Sequence, residues 1–329
     1  MPQPNIKPIL WIGIVFVFVL AAPLIAAGQD SPTLAPPKTE TPPPATPIRV
    51  AQAFEPLTQA DLSVLTGNVQ RPNGFTWHND FLYTACSGDM TLYEINSRNG
   101  ATQTYISGVR NAHTLYVEGT GSNLTLWVPD YQTNALARVS RSGGIRPIAE
   151  DLEGPWGIAY VNETQFLVTS LLGRSLLLID REGTTTPVVG NLASPTGVVT
   201  DGEWVYVANN GSSRRAIEQY PLDDLLDGGF VPAQADSPSL VSGVQSTTGL
   251  QLGSDGYLYF AYALGTRGVV GRVEPAVCRE AGGCTNDQVE IVLYTELAAP
   301  LAGLTIAPDM RLFVHTMFAP DIYWAQIDF

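Results

Sequence analysis

The sequence has few charged residues, few histidines and few cysteines, and its shortage of Lys and Arg already excludes binding to nucleic acid. Charged residues make up 15% of the 329 positions, and 17 Lys and Arg against 31 Asp and Glu give a net charge of −14. A chain this acidic has too few cationic side chains to bind the phosphates of a nucleic acid, so we expect no nucleic-acid partner. Because 45% of the residues are hydrophobic, the chain is also too apolar to be disordered.

The motifs of common nucleophile and cofactor enzymes are missing as well. The sequence contains no GxSxG nucleophile elbow, no CxxCH haem motif and no GxxxxGK[ST] phosphate loop, and no GxGxxG links a strand to a helix. Its three histidines lack a metal-type spacing such as HxxH. The residues therefore assign no catalytic group, and whether the chain is an enzyme stays open.

The amino-terminal residues have the pattern of an export segment. Lys7 is followed by an uncharged apolar run over positions 9–27 and by small residues. We predict that residues 1–28 form a signal peptide, or a membrane anchor if they stay uncleaved, because about 20 apolar residues also span a bilayer. Residues 31–56 contain eight prolines, so we predict a semi-rigid linker over 29–56. The protein is therefore expected to be extracytoplasmic, either secreted or anchored.

A unit of about 40 to 54 residues repeats through the rest of the chain. Each unit has a small residue that we interpret as a turn, and successive copies lie 40, 43, 40, 52 and 54 positions apart. These residues are Gly74, Thr114, Gly157, Gly197, Gly249 and Gly303. Repeats of this length in an all-β pattern are typical of propeller blades, so we predict a six-bladed β-propeller over residues 57–329.

Each repeat also contains a short apolar run that is typical of a strand buried on both faces. These second strands read FLYTAC, TLWVPD, FLVTS, WVYVAN, YLYFAY and RLFVHT. Two further strands complete each four-stranded blade, except that the last repeat has room for only three strands. We expect residues 62–69 to supply its fourth strand by pairing with the carboxyl-terminal strand, which closes the ring and removes an exposed edge.

In LWVPDYQTNALARV (residues 126–139) and WVYVANNGSSRRAIEQY (residues 204–220), an apolar strand, Asp or Asn, a polar turn and a third strand follow one another. In this pattern the repeats resemble the NHL and gluconolactonase/strictosidine-synthase-like group of six-bladed propellers. The resemblance implies an architecture that hosts scaffolds, lactonases and lyases alike. The fold therefore does not choose between a binding module and a hydrolase.

Residues near the start of the innermost strands and the end of the second strands are expected to surround one mouth of the central channel. The candidate ligand-binding residues are Asn73, His113, Trp156, Thr196, Thr248, Tyr262 and His315. Polar groups and aromatic rings together are typical of small-ligand pockets. We predict a binding module for a small neutral or carbohydrate-like ligand, or for a protein loop. The histidines fit either base or metal chemistry, or a structural role.

The resemblance also implies an alternative, a lactonase-type hydrolase that uses a divalent cation such as Ca²⁺. Asn73 aligns with the Asn-Gly metal ligand of the gluconolactonase-like family, and Asp130 and Asn209 are candidates for further oxygen ligands. The family's metal-binding Glu precedes the repeat glycine directly, whereas no repeat here has an acid there. Asp and Asn at strand ends also fix turns by accepting backbone hydrogen bonds, so both interpretations of Asp130 and Asn209 stand.

The three cysteines and one long insertion complete the sequence features. Cys278 and Cys284 enclose a short loop and are predicted to form a disulfide, as expected of an exported protein. Cys86 is left as a buried apolar side chain or a reactive thiol. Residues 221–238 lengthen the fourth repeat and are expected to be surface decoration or a partner-contact loop.

Overall fold

The computed structural model describes residues 54–211, 214–232, 239–316 and 319–328. All of the secondary structure described here lies in the unit Gln52–Phe329. The predicted export segment and most of the predicted linker lie outside the described residues. Within the described part of the chain, no helix is long and apolar enough to cross a membrane.

The described residues form 26 strands and two short α-helices. The first thirteen strands are β1 (Ser63–Thr66), β2 (Pro72–His78), β3 (Phe81–Cys86), β4 (Thr91–Asn96), β5 (Thr102–Ser107), β6 (Tyr116–Glu118), β7 (Thr125–Asp130), β8 (Ala135–Ser140), β9 (Gly144–Ala149), β10 (Pro155–Asn162), β11 (Gln165–Ser170), β12 (Ser175–Asp180) and β13 (Thr185–Gly190). The others are β14 (Pro195–Thr200), β15 (Trp204–Asn209), β16 (Ala216–Pro221), β17 (Val231–Pro232), β18 (Val241–Ser242), β19 (Leu250–Leu252), β20 (Leu258–Leu264), β21 (Arg267–Val273), β22 (Cys284–Thr285), β23 (Glu290–Ala298), β24 (Leu301–Ile306), β25 (Arg311–Thr316) and β26 (Ile322–Gln326). Helix α1 is Leu222–Leu226 and helix α2 is Pro275–Glu280.

These strands form six sheets, which we number blades 1 to 6 in chain order. Blade 1 is β2–β5, blade 2 is β6–β9, blade 3 starts with β10–β13, blade 4 contains β14, β15, β16 and β18, blade 5 contains β19, β20, β21 and β23, and blade 6 contains β24, β25, β26 and β1. The innermost strands of successive blades lie side by side, including those of blades 6 and 1. The prediction of a six-bladed propeller with four-stranded blades is confirmed.

The amino-terminal strand β1 lies in the last blade. It runs antiparallel to β26, with Ser63 opposite Trp324 and Val64 opposite Tyr323. Blade 6 therefore consists of three strands from the end of the chain and one from its beginning, so two distant segments are joined by backbone hydrogen bonds.

The hydrophobic core is divided among the six interfaces between adjacent blades, and each interface has its own cluster of buried side chains. Alternation along the second strands explains this arrangement. Leu126 packs against blade 1, whereas the next residue, Trp127, packs against blade 3. Because both faces of a blade are covered, the second strands are apolar at nearly every position, as the sequence predicts.

Two insertions and the amino-terminal segment extend the outer edges of blades 3, 4 and 5. Strand β17, from the insertion in blade 4, pairs in parallel with β13, and β22 pairs in parallel with β18. Leu57 forms a parallel bridge with Leu293 of β23. Each added segment covers hydrogen-bonding groups that an open sheet edge exposes.

A disulfide links Cys278 to Cys284, as the sequence predicts, and it fixes the loop that carries β22. It indicates an oxidising, extracytoplasmic setting. Cys86 is a buried thiol, and burial raises its pKa to about 12. A thiol with so high a pKa carries almost no thiolate at neutral pH, which favours the apolar role over the reactive one.

Candidate ligand-binding site

A cavity of about 360 Å³ runs along the propeller axis. The innermost segment of every blade contributes to its wall, through residues 74–76, 113–116, 158–160, 197–200, 248–251 and 302–305. None of these wall residues is Asp, Glu, Lys or Arg. The channel is therefore an uncharged space in which hydroxyl, amide and imidazole groups interrupt an apolar surface.

Three aromatic rings meet where the innermost strands begin. His113, which lines the channel, stacks on Trp156 with ring centroids 3.4 Å apart and an angle of 2° between the planes. Tyr131 approaches both rings edge-on, with centroid distances of 5.9 Å. Trp156 thus stands behind His113 and fixes the orientation of the imidazole instead of lining the cavity itself.

The His113 imidazole is neutral at physiological pH. Burial of the ring lowers its pKa to about 3, because a charged imidazolium loses hydration there. A neutral imidazole offers one hydrogen-bond donor and one acceptor. His113 therefore suits recognition of an uncharged polar group.

The two threonines among the candidate residues form hydrogen bonds between adjacent blades. Thr196 donates its hydroxyl proton to the Thr247 carbonyl at 2.7 Å, and Thr248 donates to the Leu301 carbonyl. Similar bonds cross the other interfaces, so each blade is tied to the next close to the axis. These are Asn73 to Asn111, Thr114 to the Trp156 carbonyl, Thr169 to the Thr196 carbonyl, and the Trp77 amide to Thr305.

Asn73 lies at the blade 1 to blade 2 joint and is also largely committed to the fold. Its side-chain amide donates a hydrogen bond to Asn111 Oδ1 at 2.6 Å, and 5% of its surface is exposed. Asn73, Trp156 and Thr196 do not line the channel cavity, whereas His113 and Thr248 do.

Tyr262 and His315, expected at the channel mouth, are instead buried between blades. Tyr262 is 1% exposed and packs in the cluster between blades 4 and 5. His315 is fully buried, with its ring 5.0 Å from that of Phe75 in blade 1. Alternation along β20 and β25 directs these side chains to a sheet face rather than to the axis, which corrects the sequence-based placement.

The oxygen atoms of Asp130 are taken up by the backbone. Oδ2 accepts a hydrogen bond from the Arg110 amide at 2.8 Å, and Oδ1 accepts from the amides of Asn111, Gln132 and Thr133. The carboxylate thus fixes both the turn after β7 and the strand that enters blade 2. This is the structural interpretation of Asp130 that the sequence left open.

Asn209 is also hydrogen-bonded within the fold, and the candidate metal ligands Asp130 and Asn209 do not fit a bound divalent cation. Its Oδ1 accepts from the Ala193 amide at 2.6 Å and its amide donates to Glu218. Among the described residues, no group of three or more His, Cys, Asp or Glu side chains is arranged to hold a metal. Ca²⁺ requires six to eight oxygen ligands, whereas the oxygens of Asp130 and Asn209 already accept backbone hydrogen bonds.

Replacing Asp130 tests this role directly. Asp130→Ala removes the acceptor of four backbone amides, so we expect the free energy of unfolding to fall by about 2 kcal/mol. Asp130→Asn keeps one acceptor oxygen, so its free energy of unfolding is expected to fall by less than that of Asp130→Ala. Urea denaturation with and without 1 mM Ca²⁺ checks the prediction. A Ca²⁺-dependent stabilisation that only the wild type shows would contradict it.

Sequence reasoning missed the wall residues that lie deeper in the channel. Tyr116, the first residue of β6, and Tyr160, near the end of β10, stack with centroids 5.3 Å apart in the channel wall. Burial raises the pKa of Tyr116 to about 12, so its hydroxyl is also uncharged. The available signal was the two-residue period of the innermost strands, which carries the wall several positions beyond the repeat residue.

Comparison with known proteins supports the architecture. No protein-family model and no curated protein sequence matches the chain. A gluconolactonase from Xanthomonas campestris shares the fold with a TM-score of 0.61 and 14% identity, over 81% of this chain and 89% of that chain. A regucalcin from Agrobacterium tumefaciens, a calcium-binding protein, gives a TM-score of 0.60 and 15% identity, over 82% and 95%. A streptogramin B lyase gives 0.52 and 14%, over 81% and 97%.

At identities of 14–15%, these likenesses establish the fold and nothing about activity. The chain has the six-bladed propeller fold that the gluconolactonase, the regucalcin and the lyase share. The resemblance found in the repeats is therefore confirmed at the level of architecture.

Proposed function

We propose that this protein is an exported binding protein that holds a small uncharged ligand in its axial channel. The observation that carries the proposal is the wall of the channel, in which residues from all six blades include no charged side chain. A volume of about 360 Å³ lies within the range of small-molecule sites. A charged ligand would lose its hydration there without gaining a partner of opposite charge.

His113 is the residue on which we expect ligand recognition to depend most. It reaches the cavity, its ring is held by Trp156 and Tyr131, and its low pKa keeps it neutral. An oriented neutral imidazole discriminates a hydroxyl or carbonyl group from a methyl group, since an unpaired polar group in a buried site is costly. A sugar-like ring has such groups, and one structural neighbour is a gluconolactonase.

We propose binding without turnover, because the candidate metal ligands and the channel wall do not favour hydrolysis. The structural neighbours include a calcium-binding regucalcin, but Asp130 and Asn209 use their oxygens within the fold. The channel wall also contains no carboxylate that would serve as a general base. The disulfide supports an extracytoplasmic location, and the amino-terminal sequence pattern supports export.

The test is a titration with uncharged ring ligands, read by tryptophan fluorescence because Trp156 stacks on His113. We expect a panel of neutral monosaccharides and glucono-1,5-lactone to contain a ligand that changes the emission at neutral pH. His113→Ala is expected to weaken binding about tenfold or more, because a buried hydrogen bond and the wall contact are lost together. Trp156→Phe should remove the signal while calorimetry still detects binding.

Two controls separate binding from hydrolysis. EDTA is expected to leave the affinity unchanged, and the lactone is expected to disappear no faster with the protein than in buffer. Lactone turnover that EDTA abolishes would overturn the proposal in favour of a metal-dependent hydrolase. Failure of every uncharged ring to bind, with a charged ligand bound instead, would overturn the assignment of ligand class.

A further inference from the structure

A second cavity, of about 390 Å³, lies between blades 1 and 2, away from the axial channel. Its wall combines the apolar side chains of Phe81 and Leu124 with the carboxylate of Glu94. Glu94 is 8% exposed, which is rare for an acid unless it is paired. The partners of this carboxylate therefore indicate what the cavity accommodates.

Glu94 is held by neutral donors and by one cation from the neighbouring blade. Tyr83 donates its hydroxyl proton to Oε2 at 2.8 Å, and the Gln103 amide donates to Oε1. The cation is Arg141, whose Nη2 lies 3.3 Å from Oε1. The Arg141 side chain is 50% exposed and comes from the turn between β8 and β9, whereas the Glu94 side chain is 11% exposed. The anion is thus built into the sheet, while its counter-charge reaches it from a surface turn.

Aromatic rings add to the attraction for a cation at this place. The guanidinium carbon of Arg141 lies 4.6 Å from the centroid of the Tyr105 ring. Tyr83 meets Tyr105 at an angle of 87°, with centroids 6.0 Å apart. A buried carboxylate together with aromatic faces is a favourable environment for an organic cation. Arg141 occupies that environment from outside, and the cavity beside it leaves room for an apolar body.

We propose that this cavity is a second ligand site, one that binds a small organic cation, an amidinium, guanidinium or ammonium group on a compact apolar body. The ligand cation pairs with Glu94 in place of Arg141, and its body lies against Phe81 and Leu124. Arg141 is then a resident competitor that swings out when the ligand enters. The net charge of −14 raises the local concentration of cations and so favours their entry.

The experiment uses benzamidinium as the probe and the neutral benzamide as its matched control, with binding measured by calorimetry at low salt. We expect Arg141→Ala to bind benzamidinium about fivefold more tightly than the wild type, since the exposed ion pair no longer competes. Arg141→Lys restores a competing cation and is expected to bind as weakly as the wild type. Benzamide should not bind to any of the three proteins.

Glu94→Gln in the Arg141→Ala background identifies the anion, and binding should be lost because the carboxylate is gone. Circular dichroism establishes that the double variant is folded; if it is not, the comparison of Arg141→Ala with Arg141→Lys decides the matter without touching Glu94. Equal affinity of those two variants for benzamidinium, equal binding of benzamide, or no binding by folded Arg141→Ala would each overturn the proposal.

Discussion

Gly74→Ala is expected to prevent stable folding of the propeller. A Cβ atom at position 74 would lie 1.4 Å from the carbonyl oxygen of His113 and 3.0 Å from the Thr114 nitrogen. Both are backbone atoms of the neighbouring blade, so no side-chain rotation relieves the clash and blades 1 and 2 must move apart. We expect the free energy of unfolding to fall by at least about 4 kcal/mol, a size reserved for severe packing defects. Urea denaturation followed by circular dichroism measures the loss.

Gly229→Ala is the matched control, because its Cβ would meet nothing closer than the Asp224 carbonyl oxygen at 3.5 Å. That substitution is expected to change the stability by no more than about 0.5 kcal/mol. A Gly74→Ala protein that unfolds at nearly the wild-type urea concentration would show that the spacing of blades 1 and 2 is adjustable. It would also show that the backbone of His113, whose carbonyl oxygen would meet the added methyl group, can move.

The same glycine shows how far sequence reasoning reached. The small residues that mark the repeat are predicted to form turns, but Gly74 lies inside β2 and Gly303 inside β24. These positions are glycine because adjacent innermost strands approach too closely for a side chain: a Cβ at Gly157 would lie 2.3 Å from the Thr196 carbonyl oxygen. The period was correct, since it follows from the architecture, although the local structure assigned to the marker was wrong.

The second strands were predictable to within two residues at each end because their signal is local. Phe81–Cys86 and Thr125–Asp130 are strands with the predicted bounds, and burial on both faces makes each of them an almost continuous apolar run. Nothing outside the run is needed to recognise it. The fold could therefore be derived from the sequence with little loss.

The candidate site could not be derived in the same way, because the fate of each polar side chain depends on residues far away in the chain. Thr196 bonds to the carbonyl of Thr247, and Thr248 bonds to that of Leu301. No sequence pattern around position 196 predicts a hydrogen-bond acceptor 51 residues later in the chain. Side chains that looked available for a ligand are used to join blades, and His113 stands out only once its stacking on Trp156 is known.

Acidification is expected to destabilise the protein through its two buried histidines. Burial lowers the pKa of His315 to about 4 and that of His113 to about 3, whereas both are near 6.5 in the unfolded chain. The unfolded state therefore binds more protons than the folded state below pH 6.5. The contribution of these histidines to the free energy of unfolding is complete above that pH and is lost as the pH falls toward 4 and 3. Each histidine is expected to contribute about 3 kcal/mol of this loss by pH 4.

His315→Leu separates this effect from the titration of the carboxylates. Both ring nitrogens of His315 are buried without a hydrogen-bond partner within the described part of the chain, so an apolar side chain of similar size should cost little at pH 7. We expect the variant to match or exceed the wild-type stability at pH 7 and to lose about 3 kcal/mol less between pH 7 and pH 4. Urea denaturation at both pH values measures the difference. Parallel pH profiles for the two proteins would show that His315 becomes protonated without cost, and hence that the packing between blades 6 and 1 opens to water in the folded state.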